Sequence, residues 1–199
     1  CGYYKKKNDL NSLRERVSKS LTSDKVGYPL DTTEKIPPQA LKWLLKYNIT
    51  QEEIAKHNIA WHDPDLLVLY NTNSYWQGRV FSDITTQKYK SWGQKPIIMF
   101  GTVKKAVGVV LVEDILSAIC VARVPDIIAI PMFGTSCSRE LEKHLQKLDI
   151  FTYVWLDGDV KKKSIALKNR LKSLGLLTKS ILTNKDPKTY NKEQIEEIL

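Results

Sequence analysis

From about residue 107 onward, apolar runs of strand length alternate with amphipathic stretches of helix length, and this alternation limits the folds open to the chain. Strand 107–113 precedes helix 114–124. Strand 127–132 precedes a Phe-Gly-Thr-Ser loop and helix 138–148. Strand 150–156 precedes Asp157-Gly158-Asp159 and helix 160–174. Strand 178–183 follows, and a tail over 191–198 reads as helical with Asn191 as its N-cap. Strands and helices of these lengths imply a mainly parallel four-stranded sheet flanked by helices. Right-handed crossovers then bring every strand's carboxyl end to one edge.

Two of those ends are acidic. Glu113 closes the run Val-Gly-Val-Val-Leu-Val, and Asp157 closes Ile-Phe-Thr-Tyr-Val-Trp-Leu, with Asp159 two residues later. Open parallel sheets bind ligands beyond the carboxyl ends of their strands. Gly158 lets the backbone turn tightly between the two aspartates. Carboxylates at the tips of buried strands cost free energy unless paired, and a hard divalent cation is the simplest partner. Mg²⁺ or Mn²⁺ held there would flank an in-line displacement at phosphorus. An acid at a strand–helix junction also caps the next helix. The matching placement of both motifs in a basic chain favours the metal.

The first half has a different rhythm. Residues 1–36 are polar and basic, with Lys5-Lys6-Lys7 and an amphipathic helix expected over 9–21. Pro37-Pro38 opens a helix running to Tyr47, which Asn48 stops. Thr50 and Glu53 have capping-box spacing, so a short helix is expected over 51–57. Leu66–Tyr70 and Tyr75–Phe81 flank Asn71–Ser74 as an antiparallel hairpin. Irregular sequence is expected from there to about 106, with one short strand at Ile97–Phe100. The chain thus divides into a basic segment 1–36, a helix-and-hairpin subdomain 37–106 and an α/β domain 107–199. Its fold class is α/β.

The formal charge is +9, from 31 Lys and Arg against 22 Asp and Glu. That excess favours a polyanionic partner, and nucleic acid fits best. Hydrophobic residues make up 42 % of the chain, enough for a packed core. Cys1, Cys120 and Cys137 form no Cys-x-x-Cys pair and have no His at zinc-ligand spacing, so a reducing compartment is expected. Cys1-Gly2 reads either as the remnant of an upstream metal-binding module or as a plain boundary. No apolar run approaches the roughly 20 residues that span a bilayer. His57 and His62 read as surface or packing residues.

The residues Val-Glu113-Asp-Ile-Leu-Ser-Ala followed by Leu-Asp157-Gly-Asp159 resemble the Toprim signature, a Glu after one strand and Asp-x-Asp after a later one. The resemblance covers about residues 106–190. Lys185-Asp186-Pro187-Lys-Thr-Tyr190 is similar to the stretch after the last Toprim strand in primases, which implies that Asp186 belongs to or supports the metal site. Asp before Pro is equally a loop opener. Pro38–Thr50 with Glu53-Ile54, then Tyr-Trp-Gln77-Gly78-Arg79-Val80-Phe81, then Lys88-Tyr89-Lys90-Ser91 and Met99-Phe100-Gly101, resemble in order the RNA-polymerase core of primases, of phage type above all. Val160-Lys161-Lys162-Lys163 departs from the small or Gly-containing stretch usual there. These lysines read either as a phosphate-neutralising group or as a solvated face.

The resemblance implies an N-terminal helical plus β-hairpin subdomain followed by a Toprim domain. It implies synthesis of short RNA primers on single-stranded DNA by metal-assisted nucleotidyl transfer, with Glu113, Asp157 and Asp159 as catalytic metal ligands and Asp186 as a further one. Arg79 is the expected phosphate clamp, because its fork suits bidentate contacts. Lys88, Lys90, Lys104, Lys105 and Lys161 are the expected backbone contacts. Trp76, Tyr75, Tyr89 and Trp92 are candidates for base stacking, with one of Trp76 and Tyr75 expected to be ordinary hairpin packing. Ribonucleoside triphosphates and a replicative helicase are the further expected partners. The expected location is the cytoplasm, of a host cell for a viral protein. A Toprim nuclease using the same acids, and a nucleic-acid-binding module without catalysis, are the alternatives.

Overall fold

The computed structural model describes residues 30–82 and 85–199. The helix expected over 9–21 and the Lys5–Lys7 run lie outside the described residues. Two helices, α1 (Pro38–Leu45) and α2 (Gln51–Lys56), lead into a four-stranded antiparallel sheet of β1 (Ala60–His62), β2 (Leu66–Asn71), β3 (Tyr75–Val80) and β4 (Tyr89–Gly93). Next come β5 (Gly108–Val112), α3 (Ile115–Val121), β6 (Ile127–Pro131), α4 (Arg139–Leu148), β7 (Phe151–Val154), α5 (Lys161–Ser173), β8 (Thr178–Ser180) and α6 (Lys192–Ile198). The second sheet is parallel throughout, in the order β6-β5-β7-β8.

Local chemistry accounts for the element ends. Pro38 sits in the first turn of α1, where its missing N–H costs nothing. Asn48 takes a left-handed φ of 54° just beyond that helix. Thr50 and Glu53 close a full capping box on α2, and Asn191 with Gln194 does the same on α6. Asp114 caps α3, and Ser138 caps α4.

Side chains of β5 alternate between two cores, as the strand period of two requires. Val110 and Val112 face α3, Trp155 and the N-terminal part, meeting Leu44, Ile49, Trp61, Leu67 and Leu69. Val109 and Leu111 face α4 and α5, meeting Leu141, Leu145, Leu167 and Leu171. The first core is shared by both halves of the chain, so α3 is buried along its whole length. Truncating such a residue, Leu44 for instance, costs about 2–5 kcal/mol.

Two expectations change, and one short strand is added. Residues 89–93 form β4, an edge strand exposed at every position, whose polar sequence carries no strand alternation. β1 is only three residues long, too short to carry a pattern. Ile97–Phe100 is not a strand; Phe100 alone bridges β6, exchanging both backbone hydrogen bonds with Ala129 at 2.9 Å. No described helix is long and apolar enough to cross a membrane. Cys120 and Cys137 are free and buried, and burial pushes both thiols up to about 12.

Candidate active site

The acids converge at the carboxyl edge of the parallel sheet. β5 and β7 are neighbours, so Glu113 and Asp157 leave their strands side by side. The backbone N–H of Asp157 donates to Oε1 of Glu113 at 3.0 Å. Asp159 lies exposed beyond them, and its charge acts on Glu113. Asp186 arrives from the loop after β8, immediately before a short 3-10 turn at Pro187–Thr189. Gly158 makes the loop possible: a Cβ there would stand 2.6 Å from the carbonyl carbon and oxygen of Asn184.

Two further residues belong to the cluster, and neither was anticipated. Asp114 caps α3, its Oδ1 accepting from the Ser117 N–H at 3.0 Å and its Oδ2 from the Ser117 hydroxyl at 3.1 Å. Lys188 donates from Nζ to Oδ2 of Asp114 at 2.8 Å and pairs with Oδ2 of Asp186 at 3.0 Å. It stands 3.7 Å from Oδ2 of Asp157. The Lys188 side chain is only 9 % exposed. Local sequence could not have singled it out, because its main partner is 74 residues away.

The electrostatics follow from this crowding. Burial pushes Asp157 up to about 7; Lys188 opposes that shift, while Asp114, Asp186 and Glu113 add to it. Burial also raises Glu113, with the Asp157 N–H opposing and the Asp159 and Asp114 charges adding. Lys188 is penalised by burial but ends above its ordinary value, because Asp114, Asp157 and Asp186 favour its charged form.

The donor set fits a hard divalent cation. Every candidate ligand is a carboxylate oxygen, and Oδ1 of Asp157 is buried with no hydrogen-bond partner among the described residues. No group of three or more His, Cys, Asp or Glu in the described residues is already arranged to hold an ion. A cation here would therefore draw part of its shell from water and substrate phosphates, as Mg²⁺ commonly does.

The antiparallel sheet supplies the adjoining wall. The Arg79 guanidinium lies 4.6 Å from the ring centre of Trp43, 5.5 Å from Tyr89 and 5.6 Å from Phe81. Its Nε is buried without a hydrogen-bond partner among the described residues. Burial raises the Tyr89 hydroxyl, Asp114 adds to the rise, and Arg79 and Lys188 oppose it. Tyr89 and Arg79 therefore sit within electrostatic reach of the acidic rim. Lys188 Nζ is 5.7 Å from the Tyr47 ring centre, which ties the end of α1 to the same place.

Other expected contacts are distributed differently. Lys88 and Lys90 are exposed, beside and on β4. Lys161, at the start of α5, reaches Asn184 Oδ1. Lys104 and Lys105 form an exposed 3-10 turn before β5, at the opposite edge of the sheet from the acids. The strand between puts them roughly 15 Å away at about 3.3 Å per residue. Trp76 is not a stacking surface. It is 5 % exposed and packs with Leu30, Leu66, Val68 and Val80. Tyr75 is buried as well, on the opposite face, against Phe133 at 5.3 Å. Both faces of β3 are covered, so both residues are packing; Tyr89 and Trp92 on β4 remain exposed. His57 packs against Phe100, and His62 Nδ1 lies 2.6 Å from the Asp31 carbonyl.

No family profile and no curated protein matches this sequence. Solved structures do. The DnaG primase catalytic domain bound to single-stranded DNA aligns with a TM-score of 0.60 and 15 % identity, over 82 % of this chain and 72 % of that one. The Aquifex aeolicus primase zinc-binding and RNA-polymerase domains align at 0.54 and 16 %, over 84 % of this chain. A DNA primase domain from Pseudomonas aeruginosa aligns at 0.54 and 19 %, over 82 %. This chain spans 50 % of the Aquifex chain and 59 % of the Pseudomonas one.

Proposed function

We propose that this chain, whose fold is that of the DnaG-type primase catalytic cores, makes short RNA primers on a single-stranded DNA template by nucleotidyl transfer. The observation that carries the reading is the adjacency of Glu113 and Asp157 at the carboxyl edge of the parallel sheet, within that fold. The phage-type affiliation rests on the ordered resemblance of residues 38–101. A replicative helicase is the partner such an activity would serve.

Glu113, Asp157 and Asp159 are the residues that would hold Mg²⁺ or Mn²⁺, with Asp186 supporting them through Lys188. The bound ion would supply Lewis-acid stabilisation of the attacking and leaving oxygens at phosphorus. The chain's own side chains do the rest. Arg79, whose guanidinium lies 4.6 Å from the Trp43 ring centre, would grip a nucleotide phosphate with its planar fork. Tyr89 and Trp92 offer exposed rings to template bases, and Lys88, Lys90 and Lys161 offer charge to its backbone. Lys104 and Lys105 lie too far from the acids to act in the chemistry and would touch only template at a distance.

The experiment is an incubation with end-labelled single-stranded DNA, ribonucleotides and Mg²⁺ or Mn²⁺. New RNA products that lengthen with time support primer synthesis. Shortened DNA indicates a nuclease built on the same acids. Binding with neither product indicates a module without catalysis.

A further inference from the structure

The two oxygens of Asp157 face different surroundings. Oδ2 looks toward Lys188, whose ammonium also holds Oδ2 of Asp114 and Oδ2 of Asp186. Oδ1 is buried and unpartnered among the described residues, and the Asp157 N–H ties the same residue to Glu113. One side of the carboxylate thus already has a cation, and the other side lacks one.

We propose that Lys188 is a permanent internal cation that takes the place of one divalent ion, so that the acidic rim accepts a single metal ion on the Glu113 side of Asp157. The inference rests on the metal-dependent reading above and specifies its stoichiometry. Mg²⁺ needs oxygen ligands at about 2.0–2.1 Å. An ion bridging Oδ2 of Asp114 and Oδ2 of Asp186 would compete with the Lys188 ammonium, which already contacts both oxygens at 2.8 and 3.0 Å. The ammonium cannot readily swing away. Its side chain is 9 % exposed, and it is carried on the 3-10 turn that Pro187 opens. Unlike a bound ion, Lys188 cannot dissociate, so a positive charge that holds Asp114, Asp157 and Asp186 together is built into the chain. Lys188 is a positioning residue for the acids; it needs no contact with substrate to fill this role.

The test counts ions without relying on turnover. The full chain is titrated with Mn²⁺ by calorimetry, and electron paramagnetic resonance distinguishes isolated from spin-coupled Mn²⁺. The expected result is one isolated ion for the wild type and for Lys188→Arg, and two coupled ions for Lys188→Met, an unbranched side chain one atom shorter that removes the charge. Two ions in the wild type, or one ion with unchanged affinity in Lys188→Met, overturns the inference while leaving metal dependence standing. No ion in the wild type at millimolar Mn²⁺ removes the metal reading and this inference together. Should Lys188→Met be unfolded without metal, refolding by Mn²⁺ with two ions bound supports the proposal, and failure to refold counts against it.

Discussion

Oε1 of Glu113 accepts the backbone N–H of Asp157 at 3.0 Å, so one acid of the rim fixes the position of the other. Under the proposed function Glu113 would therefore have two jobs, one through its charge and one through its shape. Glu113→Gln keeps a carbonyl acceptor for the N–H and loses the charge. It is expected to fold with near wild-type thermal stability and to lose primer synthesis by about 100-fold or more, the scale of losing one preorganised electrostatic contact. Glu113→Ala leaves the N–H without its partner and is expected to cost a further ~1 kcal/mol of stability. Parallel melting curves and primer assays on the two variants separate the roles.

Asp157 stores unfavourable free energy in the metal-free protein. It is half-buried, close to Asp114, Asp186 and Glu113, and one of its oxygens has no partner among the described residues. Asp157→Asn removes the charge while retaining the shape. The metal-free variant is expected to be more stable than the wild type at pH 8 by on the order of a few kcal/mol, because burial and the neighbouring acids push the Asp157 carboxyl up to about 7 and each pKa unit corresponds to about 1.4 kcal/mol. It is also expected to lose the stabilisation that Mg²⁺ gives the wild type, along with primer synthesis. Thermal melts with and without chelator, at one pH, measure both effects. A variant that melts lower than the wild type in chelator contradicts this account.

Glu113 and Asp157 were legible in the sequence because their positions follow from strand periodicity. Glu113 and Asp157 end runs that must be strands, and adjacent parallel strands end together. The clustering of Lys188 was not legible. It is one of 31 Lys and Arg residues, and nothing in Asp186-Pro187-Lys188-Thr189 says that this lysine is buried. Its burial depends on an aspartate 74 residues earlier. The burial of Trp76 was hidden for a similar reason. Its outer face is covered by Leu30, which comes from a segment with no pattern of its own. The polar edge strand β4 was hidden because exposed strands owe their form to pairing, here with β3, and not to alternation.

Gly158 tests how much the loop geometry matters. An added Cβ would meet backbone atoms of Asn184 at 2.6 Å, and backbone cannot swing aside as a side chain can. Gly158→Ala is expected to push the Asp157–Asp159 turn away from the loop that carries Asp186 and Lys188. The expected cost is about 1–3 kcal/mol, the range for overpacking. Metal affinity should fall with it, since the acids on the two loops no longer hold their spacing. Calorimetric Mn²⁺ titration beside a chemical denaturation curve reads both changes.

Arg123 and Glu53 join the two halves of the chain. Nε donates to Oε1 at 2.7 Å and Nη2 donates to Oε2 at 2.8 Å, and Nη2 also reaches the Asn48 carbonyl at 2.9 Å. Glu53 also closes the capping box of α2, so one carboxylate serves both the helix and the interface. Burial alone would raise its pKa; the Arg123 and Thr50 hydrogen bonds and the Arg123 charge outweigh that and hold it below its ordinary value of 4.5. A carboxyl depressed in the folded state contributes stability that is fully present above its unfolded value. That contribution is lost as pH falls through the folded value. Arg123→Ala is thus expected to cost about 2 kcal/mol at pH 7, the scale of charged hydrogen bonds with a half-buried partner. The difference from the wild type should shrink as pH drops from about 5 through and below the depressed folded value, because the wild type loses the same interaction by protonation. Denaturation curves of both proteins across that range give the difference directly. A gap that stays constant at every pH would mean that Arg123 acts through packing and not through its pairing with Glu53.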